Sequence, residues 1–301
     1  MADPRALLDP AFVRELEALR RRLQVLVQSG ASGERVARRR GGSAEFQEHR
    51  PYAPGDDLRR VDWAAFARTG EPVLKLFRAE EDTVLRLLVD ASASLAFGEP
   101  QKLEVARRVA AAIGYLGLAN GQRVQVLVAR DRAGQSGGRG LERVGAPRRG
   151  RDALPALLRD LSEPLASGSA DLARALDTTL QQSARPGLLV VLSDFLDPGP
   201  VTRALTRACA MGHQLALVHV LAREEIEPNH DGDFSLVDAE TDAPLEISMD
   251  ATAIDAYVRR LAGLIEELRS WARKHRASYV RITNDEPLEG VVRRFVVRAV
   301  D

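Results

Sequence analysis

The chain has 301 residues, 45% of them hydrophobic, which is enough to bury the core of one large α/β domain with appendages. Lys plus Arg and Asp plus Glu each number 43, a balance that offers no general attraction to nucleic acid or to an anionic membrane. The one cysteine, Cys209, excludes an intrachain disulfide and a cysteine-based zinc cluster, and it fits a reducing compartment.

In chain order, Phe12, Leu16, Leu19, Leu23 and Leu26 recur at spacings of three and four, predicting an amphipathic helix over 10–28 within an N-terminal segment 1–34. Acidic and basic residues run through this segment, so it is no signal peptide. With no run of about 18 apolar residues in the chain, a cytoplasmic protein without a membrane span is expected. Residues 35–82 are rich in Arg, Gly, Pro and aromatics, and there only "EPVLKLFRAE" resembles a strand. They read as an annex packed on the main domain, with Trp63 as an anchor in the core. The short arginine run "RVARRRGG" reads as a solvated lead-in, with no nucleic-acid signature beside it.

From 83 to 301 a regular alternation begins. Strand patterns fall at 83–90, 122–130, 187–194, 214–222 and 277–283, and helical patterns at about 101–118, 151–183, 199–211 and 251–275. Strands apolar on both faces and separated by helices predict a doubly wound, mostly parallel sheet covered on both sides. Glycine-rich 133–145 suggests a loop with a short edge strand, and 234–248 a β-hairpin inserted before the last long helix.

Chemistry gathers where strands end. Asp90, Ser92 and Ser94 alternate at the close of one apolar run, and Asp194 closes another. In an open parallel sheet, ligands bind beyond such carboxyl ends. Carboxylates and hydroxyls without thiol or imidazole form a hard-oxygen set suited to Mg²⁺, Mn²⁺ or Ca²⁺. A serine hydrolase is disfavoured because "DASAS" is not G-x-S-x-G. His213 and His219 read as core residues.

D-x-S-x-S after an apolar strand, with a later strand-end aspartate, resembles the metal-ion-dependent adhesion site of von Willebrand factor A-like domains. The resemblance implies Ser92 and Ser94 as direct ligands of a divalent ion, Mg²⁺ first with Mn²⁺ or Ca²⁺ as alternatives, and Asp90 and Asp194 as partners acting through water. The third loop, "GSADL", departs from the family's G-T-D-L by placing Ala170 where threonine stands. Ser169 and Asp171 are then its candidate donors, and the resting protein could lack the ion.

A wider pattern covers nearly the whole chain after about residue 33. Glu45-Phe46, Arg50, Tyr52, Gly55-Asp56-Asp57, Arg59, Asp62-Trp63, Ala67-Arg68, Lys75 and Phe77, together with the closing "NDEPLEGVVRRFV", resemble the bacterial family called domain of unknown function 58. That resemblance implies a non-enzymatic adaptor working with a MoxR-type AAA+ ATPase and a client protein. Arg50, Arg59 and Arg68 are candidates for contact with an acidic partner surface, against a structural reading in which they pair within the annex. Two alternatives stay open: a metal-dependent hydrolase or phosphatase using the same Asp/Ser site, and a pseudo-site that binds partners without metal.

Overall fold

The computed structural model describes residues 7–8, 12–18, 44–53, 56–58, 61–79, 84–131, 140–182, 185–196, 200–228, 232–237, 244–249 and 251–300. They divide into two compact units, one of residues 1–28 with 83–301 and the other of residues 29–82. Arg59, the arginine run at 35–42 and the turn of the inserted hairpin lie outside the described residues.

In the larger unit a short helix α1 (12–18) precedes β3 (Val84–Asp90), α3 (Lys102–Ala119), β4 (Arg123–Ala129), β5 (Leu141–Val144) and β6 (Arg148–Arg149). Then come α4 (Leu154–Ser162), α5 (Leu172–Gln182), β7 (Leu188–Ser193), α6 (Val201–Ala210), β8 (Gln214–Leu221) and α7 (Arg223–Ile226). The hairpin β9 (Gly232–Val237) and β10 (Pro244–Met249), α8 (Ala251–His275), β11 (Ser278–Thr283) and α9 (Leu288–Val300) complete it. The main sheet runs β11-β8-β7-β3-β4-β5, with β6 also on β4. β3, β4, β7, β8 and β11 are parallel, while β5 and β6 pair antiparallel with β4 at one edge. This is the mostly parallel, doubly wound sheet that the alternation of strand and helix predicts.

Parity along β3 assigns the two faces. Leu85, Leu87 and Val89 join Val109, Ile113, Leu157 and Val292 in one core, into which α1 sends Leu16. Leu88 joins Leu172, Leu176, Val191, Leu205 and Trp271 in the other. Burying a Leu or Val side chain contributes about 1.5–3 kcal/mol, so both faces of β3 hold it at the centre of the fold. After β3 the chain steps to β4 on one side. It then returns to β7 on the other side and moves outward through β8 and β11. Strand order therefore reverses between β3 and β7, which opens a crevice at their carboxyl ends.

One expected helical stretch, 151–183, is two helices. Pro164 cannot donate a backbone hydrogen bond, and Gly168 adopts φ 66 in the left-handed region, so α4 stops and α5 restarts at Leu172. The break has a use: Ser167 N donates to Ala91 O at 3.1 Å, and Ala93 N donates to Gly168 O at 2.8 Å. These bonds seat the intervening loop against the end of β3.

In the smaller unit, β1 (Ala44–Pro51) pairs antiparallel with β2 (Val73–Ala79), and α2 (Trp63–Thr69) lies between them in sequence. β1 was not expected, because Glu45, Glu48, His49 and Arg50 give it a weak strand pattern; pairing with β2 supplies what propensity does not. Asp62 caps α2 by accepting from Ala64 N and Ala65 N, each at 3.1 Å, and its other oxygen meets His49 Nε2 at 2.9 Å. Trp63 corrects the expectation of a core anchor. It is 61% exposed and meets Phe66 edge to face at 6.1 Å, because α2 turns Ala65 inward.

Candidate functional site at the carboxyl end of the sheet

Asp90 is the last residue of β3, and Asp194 follows β7 directly, so the reversal of strand order brings the two aspartates to one crevice. Both are buried, at 3% and 2% exposure. Asp90 Oδ1 accepts from Ser92 N at 2.9 Å, and Oδ2 accepts from Ser193 Oγ at 2.6 Å. Ser193 Oγ in turn accepts from Phe195 N at 2.9 Å. Burial first, and then the charge of Asp194, push the Asp90 carboxyl up to about 7, while the bonds from Ser193 and Ser92 work the other way. Ser92 Oγ and Ser94 Oγ bond to each other at 3.0 Å.

The loop between α4 and α5 reaches the crevice with its backbone. Besides the bonds at Gly168 and Ser167, Ser169 O accepts from Asp131 N at 2.8 Å. Ser169 is exposed, Ala170 is buried at 8%, and Asp171 Oδ1 accepts from Arg174 N at 2.8 Å as the cap of α5. The structure thus gathers Asp90, Ser92, Ser94 and Asp194, and it commits Asp171 to its own helix.

The residue that the sequence reading missed is Lys102. It opens α3 and is fully buried, and its Nζ donates to Asp194 Oδ2 at 2.8 Å and to Glu225 Oε1 at 2.6 Å. Burial pulls the Lys102 ammonium down, but the charges of Asp194 and Glu225 outweigh it and raise it. Glu225 is itself pushed up, burial outweighing the attraction of Lys102. Two carboxylates closing on one ammonium keep Lys102 charged. One sequence signal was available. A lysine at the start of a helix opposes the helix dipole, and at the polar end of an apolar stripe it needs a specific acidic partner.

Hydrogen bonds to neighbouring backbone fix these groups. Glu225 Oε2 accepts from Ala222 N at 2.8 Å, while Asn284 Oδ1 accepts from Arg223 N at 3.0 Å and Asn284 Nδ2 donates to Pro100 O at 2.9 Å. Asn284 belongs to the closing "NDEPLEG" motif and is 3% exposed. Tyr257 of α8 also feels this cluster: burial, then the charges of Glu225 and Asp194, push its hydroxyl up to about 12.

The donors can be tested against a divalent ion. The serine pair fits, since two adjacent ligands of an octahedral Mg²⁺ stand about 2.9 Å apart. The remainder does not. Asp194 is matched by an ammonium, and Ala170 brings no oxygen. Among the described residues, no group of three or more His, Cys, Asp or Glu side chains could hold a metal.

In the smaller unit, Arg50 donates through Nη2 to both oxygens of Asp56, at 2.7 and 2.8 Å, and Asp56 Oδ2 also accepts from Ala53 N at 2.9 Å. For Arg50 this is the pairing within the annex that the structural reading describes. Arg68 is exposed at the end of α2.

Fold and crevice define a mostly parallel, doubly wound α/β domain with its polar cluster at the topological switch point. The chain belongs to the family described as protein of unknown function DUF58, whose model matches residues 48–263. An uncharacterised protein of Mycobacterium tuberculosis (strain ATCC 25618 / H37Rv) is 32% identical over 293 residues, covering 96% of this chain and 90% of that protein. Among solved structures, the conserved hypothetical protein BatB from Bacteroides thetaiotaomicron is 13% identical and covers 73% of this chain and 100% of its own, with a TM-score of 0.44. A von Willebrand factor type A protein from Catenulispora acidiphila is 14% identical and covers 46% of this chain and 33% of its own, with a TM-score of 0.32. Among the described residues, no helix is long and apolar enough to cross a membrane.

Proposed function

We propose that this chain is a non-enzymatic protein-binding adaptor that acts with a MoxR-type AAA+ ATPase and docks partners on the carboxyl-end face of its main sheet. The observation that carries the reading is the composition of that face. A buried, internally bonded cluster of Asp90, Ser193, Asp194 and Lys102 lies among carboxyl-end connections that expose Phe97 at 50%, Leu165 at 61% and Leu196 at 43%. A rigid polar floor with an apolar rim suits recognition of a protein surface, whose affinity rests on a few apolar anchors around a fixed centre. Family membership supports the ATPase as the partner class.

The test is direct binding to the purified MoxR-type ATPase, measured by biolayer interferometry with the wild type and with Phe97→Ser/Leu196→Ser. The double variant should bind at least about tenfold more weakly, as loss of two apolar anchors implies. Unchanged affinity would remove this face as the docking surface. Turnover of a simple phosphoester with Mg²⁺ or Mn²⁺ would replace the adaptor reading with the hydrolase one.

A further inference from the structure

Three facts about the crevice concern charge. Asp194 and Glu225 are carboxylates buried to 2% and 12% side-chain exposure, and such groups are costly without a cation. The cation they have is the Lys102 ammonium, at 2.8 and 2.6 Å, from a side chain with no exposure at all. That ammonium is covalently part of the chain and sits at the start of α3, where the helix dipole gives it nothing. It is held there only by the acids it neutralises.

A free divalent ion and this ammonium would draw on the same carboxylate. Two like charges near one carboxylate repel, and the tethered charge has the advantage of an effective concentration no free ion matches. Beside it, Ala170 stands where a third loop would have to add an oxygen, which leaves the Ser92 and Ser94 hydroxyl oxygens, 3.0 Å apart, without that further donor. The arrangement is therefore complete in itself.

We propose that Lys102 is the resident cation of this site, holding Asp194 and Glu225 in place of a divalent ion, so that the domain folds and presents its docking face without metal. The assignment deepens the docking reading and makes Lys102 a positioning residue. It is tested without the ATPase, so that its failure and the failure of that reading are separable.

The experiment compares the wild type, Lys102→Met and Lys102→Met/Asp194→Asn. Thermal unfolding is followed in EDTA and in millimolar Mg²⁺ or Mn²⁺, and Mn²⁺ binding is followed by calorimetry. The wild type should unfold at the same temperature in EDTA and in metal. Lys102→Met should unfold earlier in EDTA, recover on addition of metal, and bind Mn²⁺ at least about tenfold more tightly than the wild type, since removing a nearby like charge favours the ion. The double variant, which has lost Asp194 as well, should lose that recovery. Lys102→Gln serves the same comparison if the methionine variant does not fold. Saturable Mn²⁺ binding by the wild type that stabilises it and is lost in Ser92→Ala/Ser94→Ala would overturn the proposal. So would lysine variants that gain no affinity for metal.

Discussion

Asn284 Nδ2 donates to the carbonyl of Pro100 at 2.9 Å, stitching the residue after β11 to the loop that delivers Lys102. The same side chain accepts from Arg223 N, at the start of the helix that carries Glu225. Asn284→Ala would leave a carbonyl and an amide without their partners. A loss of about 2–3 kcal/mol is expected from two such bonds, measured by urea unfolding. Asn284→Asp keeps the acceptor for Arg223 N and loses the donor to Pro100, so it should fall between wild type and alanine.

His219 gives the domain an acid-side weakness. Burial above all holds its imidazole down to about 4, with Asp194 opposing and Arg281 and Lys102 assisting, and Tyr279 Oη lies 2.8 Å from its Nδ1. The unfolded chain takes up this proton near pH 6.5 and the folded chain only near 4, so stability is lost as pH falls between those values. At pH 5 the loss from this group is about 2 kcal/mol. His219→Gln should abolish it, which unfolding midpoints at pH 7 and pH 5 would reveal. Asp90 runs the opposite way, since its folded value of about 7 lies above the ordinary 3.8, and Asp90→Asn should therefore steepen the acid loss.

Gly187 lets β7 enter the sheet beside β3. A Cβ there would stand 2.3 Å from Val84 O, a backbone atom that cannot move aside. Gly187→Ala should destabilise the domain by roughly 3 kcal/mol, the upper range for overpacking, as read by chemical unfolding.

Trp63 and Ala65 lie two residues apart on α2 with opposite burial, 61% and 6%. Trp63→Ala should change stability by less than about 0.5 kcal/mol. Ala65→Asp places a charge in the only buried position of that helix and should expose the smaller unit to limited proteolysis.

Restoring a hydroxyl at position 170 gives a further check. Ala170→Thr alone should not confer Mg²⁺ affinity, because Lys102 still holds Asp194; Ala170→Thr with Lys102→Met should confer it, as calorimetry would show. Affinity in the single variant would mean that the third loop, and not the lysine, sets the response to metal.

Every strand of the main sheet up to β4, and β7, β8 and β11 after it, was legible to within a residue or two, because continuous apolar runs leave few alternatives. The antiparallel pairing of β9 with β10 and the edge position of β5 followed from the glycine and turn residues around them. The convergence of Asp90 with Asp194 followed from the strand-end rule. The division of 151–183 into two helices was less legible, since the apolar period continues past Pro164 and only the punctuation interrupts it. Lys102 with Glu225 could not be read at all: their bond spans 123 positions, and no local pattern records which distant acid a buried lysine meets. Trp63 was misjudged for a related reason, because a large aromatic ring says nothing of which way its helix will turn.

The order in which the chain is synthesised gives that long bond a further meaning. Lys102 and Asp194 precede Glu225 and Asn284 in the chain, so both members of the first ion pair are made before the residues that seat it. The charge cluster is closed by α7 and by the residue after β11, both far along the chain from Lys102. The Lys102–Glu225 contact therefore needs the chain only through α7, whereas the bonds of Asn284 need β11 as well. Until Asn284 is in place, Arg223 N and the Pro100 carbonyl lack their side-chain partner, and the crevice is unfinished.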